Sequence, residues 1–131
     1  MAVGMLLDTH AFVWAVAAPD RLSSHALEVI ADPTVALLVS AATAWEISIK
    51  HRSGRWPEVA PLLSQFARLT KDLGATHLPI TSEHALSAGS LDWQHTDPFD
   101  RALAAQAMSE GVALISKDPA FASLPGLTRL W

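Results

Sequence analysis

Four acidic residues, Asp8, Glu46, Asp100 and Asp118, each follow or face the end of an apolar, strand-like run. Val3-Gly4-Met5-Leu6-Leu7 leads into Asp8, and Val112-Ala113-Leu114-Ile115-Ser116-Lys117 leads into Asp118. Residues so far apart in sequence meet only where a sheet brings strand ends to one edge. Carboxylates gathered there repel one another unless a cation sits between them. Hard oxygen donors suit Mg2+ or Mn2+, so the expected chemistry is that of a divalent-metal site.

Each acid also has a purely structural reading. Asp8, in Leu6-Leu7-Asp8-Thr9-His10, can cap the helix that follows it. Glu46, in Ala44-Trp45-Glu46-Ile47-Ser48-Ile49-Lys50, can be an exposed glutamate paired with Lys50 four residues on. The strand before it is apolar and so is most of its helix, so a core-facing Glu46 would need a partner. In Asp97-Pro98-Phe99-Asp100-Arg101, Asp97 is either a cap or a fifth ligand, and Asp100 sits in the first turn. Asp118-Pro119 can simply start a turn. Ser116 either hydrogen-bonds a carboxylate or water at the site or closes its strand.

The elements that must position these residues are legible from periodicity and punctuation. Strands are expected at 2–8, 34–39, 76–80, 112–116 and about 127–130. Helices are expected at 9–18, 23–31, 41–52, from Pro57 to about Gly74, from Thr81 or Ser82 to about Leu91, and from Asp97-Pro98 to Gly111. Strands alternating with helices predict a parallel sheet with right-handed crossovers. Such folds bind ligands beyond the carboxyl ends of their strands. Ala104, Ala105 and Ala107 let the last helix pack close to that sheet.

At 131 residues and 50% hydrophobic, the chain is long enough for one domain (1–131) with a real core, and its composition argues against disorder. It has no cysteine, which removes disulfides, thiolate zinc sites and a cysteine nucleophile. The six histidines fall in no zinc-binding spacing; His10 and His95 lie near the acids and read as supporting or surface residues. No phosphate-binding glycine loop or nucleophile elbow occurs. Neither a signal peptide nor a spanning helix is expected, so the protein reads as cytoplasmic with no membrane contact. The net charge of −4 argues weakly against nucleic-acid binding, although bound cations would offset it locally.

Four segments together resemble the PIN-domain ribonucleases, and in particular the VapC toxins of VapBC toxin–antitoxin pairs. They are Leu6-Leu7-Asp8-Thr9-His10 with Trp14; Ser40-Ala41-Ala42-Thr43-Ala44-Trp45-Glu46-Ile47 with Lys50 and Gly54; Asp97-Pro98-Phe99-Asp100-Arg101 with Ala104-Ala105-Gln106-Ala107; and Leu114-Ile115-Ser116-Lys117-Asp118-Pro119 with Phe121. They occur in family order across nearly the whole chain. The resemblance implies an α/β Rossmann-like three-layer sandwich, with a mostly parallel sheet of about five strands flanked by helices. It places Asp8, Glu46, Asp100 and Asp118 as catalytic metal ligands, Asp97 as an extra acid, and Ser116 and Thr9 in support. It further implies Mg2+- or Mn2+-dependent endoribonuclease activity leaving a 5′-phosphate and a 3′-hydroxyl. The implied partners are RNA, a second copy in a homodimer, and a VapB-type antitoxin whose C-terminal peptide crosses the acidic groove. Trp14, Trp45 and Trp56 are candidate anchors, and Lys50, Arg52, Arg55, Arg101 and Lys117 candidate RNA contacts.

Other functions fit less well. A phospho-receiver needs an acidic pair at the first strand end and an Asp after the third; here Thr9 follows Asp8, and the third strand ends in Pro79-Ile80. A haloacid-dehalogenase-like phosphatase needs a second Asp where His10 stands. A PIN fold used only for binding would be marked by lost acids, and none is lost. A housekeeping nuclease of RNA processing is the enzymatic alternative; the short chain, with no added RNA-binding module, favours the toxin.

Overall fold

A computed structural model describes residues 3–131. Its elements run β1 (Val3–Leu7), α1 (Thr9–Ala17), α2 (Ser24–Ala31), β2 (Val35–Ser40), α3 (Ala41–Arg52), α4 (Ala60–Asp72), β3 (Ala75–Leu78), α5 (Ser82–Ser90), α6 (Pro98–Glu110), β4 (Ala113–Ile115) and β5 (Arg129–Leu130). Short 3₁₀ turns stand at Pro19–Arg21, Pro57–Val59 and Pro119–Ser123. The expected start of the first strand at Ala2 lies outside the described residues.

All five strands are parallel, in the order β3-β2-β1-β4-β5. β1 lies at the centre, in register with β2 from Val3↔Val35 to Leu7↔Val39 and with β4 from Met5↔Ala113 to Leu7↔Ile115. The chain steps outward from β1 to β2 and β3, then returns across the sheet to β4. That reversal opens a crevice between the carboxyl ends of β1 and β4.

Successive side chains of a strand point to opposite faces, and this divides the core in two. Leu7, Val39 and Ile115 pack on one face with Phe12 of α1, Ile30 of α2, Ile47 of α3 and Leu62 of α4. Leu6 and Leu114 pack on the other with Leu103, Ala104 and Ala107 of α6, and with Phe121. The result is three layers. Leu6, Leu7, Leu114 and Ile115 are fully buried, each contributing roughly 1.5–3 kcal/mol. This two-sided burial explains why β1 and β2 read as unbroken apolar runs. Gly4 is needed in β1 because a Cβ there would stand 2.6 Å from Val112 Cγ1.

Helix starts follow the local chemistry: Ser23 accepts from the Ala26 amide at 3.0 Å and Ser40 from the Ala42 amide at 2.9 Å. α6 ends at Gly111, whose φ of 67° suits glycine. Most boundaries shift by one or two residues from the sequence reading, and three of the differences have a plain local cause. Pro57 opens a 3₁₀ turn, and α4 follows only at Ala60. β3 stops at Leu78 because Pro79 has no N–H for the ladder. β2 begins after Thr34, which Asp32 holds in a turn by accepting from its amide (2.9 Å) and hydroxyl (2.7 Å). Among the described residues no helix is long and apolar enough to cross a membrane.

Candidate active site

Asp8 leaves the central strand at the crevice. Its amide continues the sheet by donating to the Ile115 carbonyl at 3.0 Å, and its Oδ1 accepts from the Ala11 amide at 2.7 Å. It is therefore the cap of α1, and it is also a carboxylate only 6% exposed. Burial pushes its pKa up to about 7; the Ser116 hydroxyl and the Ala11 amide pull it down, and the charges of Asp100 and Glu46 push it further up. The last two effects place carboxylates from the end of β1, the middle of α3 and the first turn of α6 within reach of one another.

Glu46 reaches the site from the second turn of α3. It is 3% exposed, which excludes the exposed surface pair. Lys50 is nevertheless its partner: Lys50 Nζ meets Oε2 at 2.5 Å, and the Thr9 hydroxyl donates to Oε1 at 2.6 Å. Thr43, also buried, stands 3.2 Å from the same Thr9 hydroxyl. Thr9 therefore ties the start of α1 to α3.

Asp97 accepts from the amides of Phe99 (2.9 Å) and Asp100 (3.0 Å), capping α6 and orienting its first turn. Asp100 is half-buried, with Oδ2 2.7 Å from His95 Nε2. Burial raises its pKa to about 6 against the opposing hydrogen bond from His95, and the charges of Asp97 and Glu46 add to the rise. His95 in turn packs on Trp93, ring centroids 4.8 Å apart. Asp118 stands exposed at the rim, where its side chain caps the Ala120 amide at 2.9 Å. The buried Ser116 hydroxyl accepts from the Asp118 amide at 3.0 Å, so one serine serves two of the acids.

Arg101 has a role that its sequence position did not reveal, and Lys50 one that it revealed only in part. Arg101, a candidate RNA contact by sequence, spends its guanidinium on four backbone carbonyls. Nε donates to Ala88, Nη1 to Trp93 and His95, and Nη2 to Leu91, all at 2.8–2.9 Å. It closes the loop between α5 and α6 and so holds His95 beside Asp100. Lys50 is likewise committed to Glu46. The role of Arg101 has no local signal, because its acceptors are carbonyls of the end of α5 and of the loop after it. The spacing of Glu46 and Lys50 does announce their pair, but its burial depends on the sheet beneath α3.

A groove of about 400 Å³ opens over the crevice, lined by Asp8, His10, Trp14, Lys117, Asp118 and Pro119. A second, of about 650 Å³, lies on the His95 side between the 92–95 loop and the turn after β4. Among the described residues no three carboxylates or imidazoles converge tightly enough to form a ready cation cage. The residues still fit a hard cation: Asp8 and Asp100 offer carboxylate oxygens held above their ordinary pKa by burial and by neighbouring negative charge, and a divalent ion there would favour their charged forms.

Several solved structures share this architecture. VapBC2 from Rickettsia felis, solved bound to a DNA fragment from its promoter, superposes with a TM-score of 0.69 at 14% identity, covering 98% of both chains. DNA-bound VapBC from Salmonella typhimurium gives 0.68 at 17%, covering 98% of this chain and 97% of that one. Mycobacterium tuberculosis VapC20, described as a sarcin–ricin loop cleaving toxin, gives 0.63 at 14%, covering 95% and 98%. At these identities the likeness establishes the fold. No curated protein sequence matches the chain significantly. The family model described as PIN domain matches residues 5–127, and by that match the chain belongs to the PIN-domain family.

Proposed function

We propose that this PIN domain is the toxin of a VapBC-type toxin–antitoxin pair, a Mg2+- or Mn2+-dependent endoribonuclease. The observation that carries this reading is the pair of buried carboxylates Asp8 and Asp100 beside the crevice, both raised in pKa chiefly by burial and both within reach of the Glu46 charge. The description of one structural neighbour as a toxin that cleaves the sarcin–ricin loop supports RNA as substrate. The descriptions of others as VapBC complexes support a VapB-type partner.

Asp8, Asp100 and Asp118 would hold the cation, with Glu46 beside them and Asp97 as an additional acid. When bound, such an ion makes water more acidic and withdraws charge from a phosphoryl oxygen, favouring in-line hydrolysis. The chain's own residues prepare that site. Lys50 and Thr9 hold Glu46 in one rotamer, Ser116 orients Asp8 and the start of the turn bearing Asp118, and His95 orients Asp100. The groove of about 400 Å³ over Asp8 and Asp118 is where a nucleic-acid backbone would lie. An antitoxin arginine entering it would pair bidentately with these carboxylates and displace the cation. Exposed apolar residues on α3, Trp45 at 58% and Ile49 at 37%, support a homodimer face.

The test is cleavage of total cellular RNA by the purified protein, with Mg2+ or Mn2+ against EDTA. The expected result is metal-dependent cutting at a few sites, abolished by Asp8→Asn, Glu46→Gln, Asp100→Asn or Asp118→Asn in folded protein. Wild-type rates in any variant remove that residue from the site. No cutting with any metal, from folded protein free of antitoxin, makes the domain a binding module.

A further inference from the structure

Beside the acids, on the side away from His95, lies a ledge of aromatic rings. His10 stacks on Trp56 with centroids 4.8 Å apart and 28° between planes, and it meets Trp14 at 5.6 Å. Trp14 lines both the groove over Asp8 and Asp118 and a neighbouring groove of about 470 Å³ that Trp56 also lines. The rings therefore continue from the carboxylates outward along one path. A lysine stands over each indole: Lys117 Nζ lies 5.9 Å from the Trp14 centroid and Lys50 Nζ 5.8 Å from that of Trp56. Lys117 is exposed and makes no ion pair among the described residues.

From this arrangement we infer that the His10–Trp14–Trp56 ledge binds unpaired nucleobases of the RNA flanking the scissile phosphate, with Lys117 on the backbone. The inference deepens the nuclease reading and rests on it. Aromatic faces alternating with ammonium groups are what single-stranded nucleic acid recognises, bases stacking on rings while cations track phosphates. A wholly paired stretch would keep its bases within its own helix and leave the rings uncovered. The ledge thus selects loops, bulges or ends. It also answers the acidic net charge: the RNA contact here combines stacking with one local cation and needs no broad basic face.

The test uses the full chain carrying Asp8→Asn, so that bound RNA is not cut. Two short single-stranded RNA oligonucleotides are titrated in Mg2+, one intact and one with two adjacent abasic positions, reading tryptophan fluorescence and the anisotropy of a 3′ dye. The intact oligonucleotide is expected to quench the fluorescence and to bind roughly 10–100-fold more tightly than the abasic one. His10→Ala, at an exposed position, and Trp56→Leu, which keeps apolar bulk but no aromatic face, should each shrink that ratio. Circular dichroism and melting confirm the folding of each variant. A ratio that persists in both folded variants overturns the inference. Equal binding of the two oligonucleotides also overturns it and leaves the ledge to a peptide partner. Failure of the nuclease reading is seen separately, as absence of metal-dependent cutting by protein with Asp8 intact.

Discussion

Raising the pH should destabilise the cation-free protein through Asp8, and Asp8→Asn should remove that effect. Burial holds the carboxyl near pKa 7 in the fold against an ordinary 3.8. Below about pH 4 the group is protonated folded or unfolded and costs nothing. Between about 4 and 7 the unfolded chain ionises while the folded one keeps its proton, so stability falls; above about 7 the full cost is present. The gap between the two values corresponds to on the order of 4 kcal/mol. Asparagine keeps the cap, since its amide oxygen can still accept from the Ala11 amide, but it carries no charge. Urea denaturation of both proteins in EDTA at several pH values from 4 to 8 reads the difference. Background groups such as Asp100 cancel in the comparison to first order. The variant should gain on the wild type steadily with pH, by up to about 4 kcal/mol at pH 8. Mg2+ should recover much of that loss in the wild type and little in the variant. A stability difference that stays flat from pH 4 to 8 would refute the assignment of Asp8 as an uncompensated buried carboxylate. A slope without Mg2+ recovery would refute the cation site while leaving the burial intact.

Two further outcomes follow from the fold. Arg101→Leu leaves four carbonyls without their charged donor and should cost roughly 3–5 kcal/mol, with faster proteolysis in the 91–96 loop. Arg101→Lys should rescue little, because one ammonium cannot span the fork; a wild-type melt in that variant would dismiss the role. Gly4→Ala brings a Cβ to 2.6 Å from Val112 Cγ1 and should cost about 1–3 kcal/mol in urea denaturation. Adding Val112→Ala should relieve part of that strain, and a purely additive double variant would show that the close approach is not its source.

Much of this protein was determined by residues within a few positions of one another. The apolar runs read as strands at 2–8 and 34–39 match β1 (Val3–Leu7) and β2 (Val35–Ser40), whose two faces are both covered. Ser23, Ser40, Thr81 and Asp97 announce helix starts because a cap bonds amides two or three residues ahead. Asp8 and Asp118 stand out by their places after such runs, and the resemblance of the four segments adds Glu46 and Asp100 to the proposed set. Apart from Lys50 and Ser116, their partners were not recognisable. Whether Glu46 faced solvent or core was undecided by the pattern around it, since either face of α3 accommodates a Glu–Lys pair; the sheet beneath α3 decided for burial. Arg101 looked like a surface cation because nothing near it in sequence advertises acceptors, yet the loop from 88 to 95 folds its carbonyls around it. The stacking of His10 on Trp56 joins residues 46 positions apart, and it exists only because α1 and the turn before α4 border the same groove. Local signals report torsions and nearest-neighbour bonds. Which side chains meet across the crevice is set by strand order and register, and those come from burying both faces of the sheet at once.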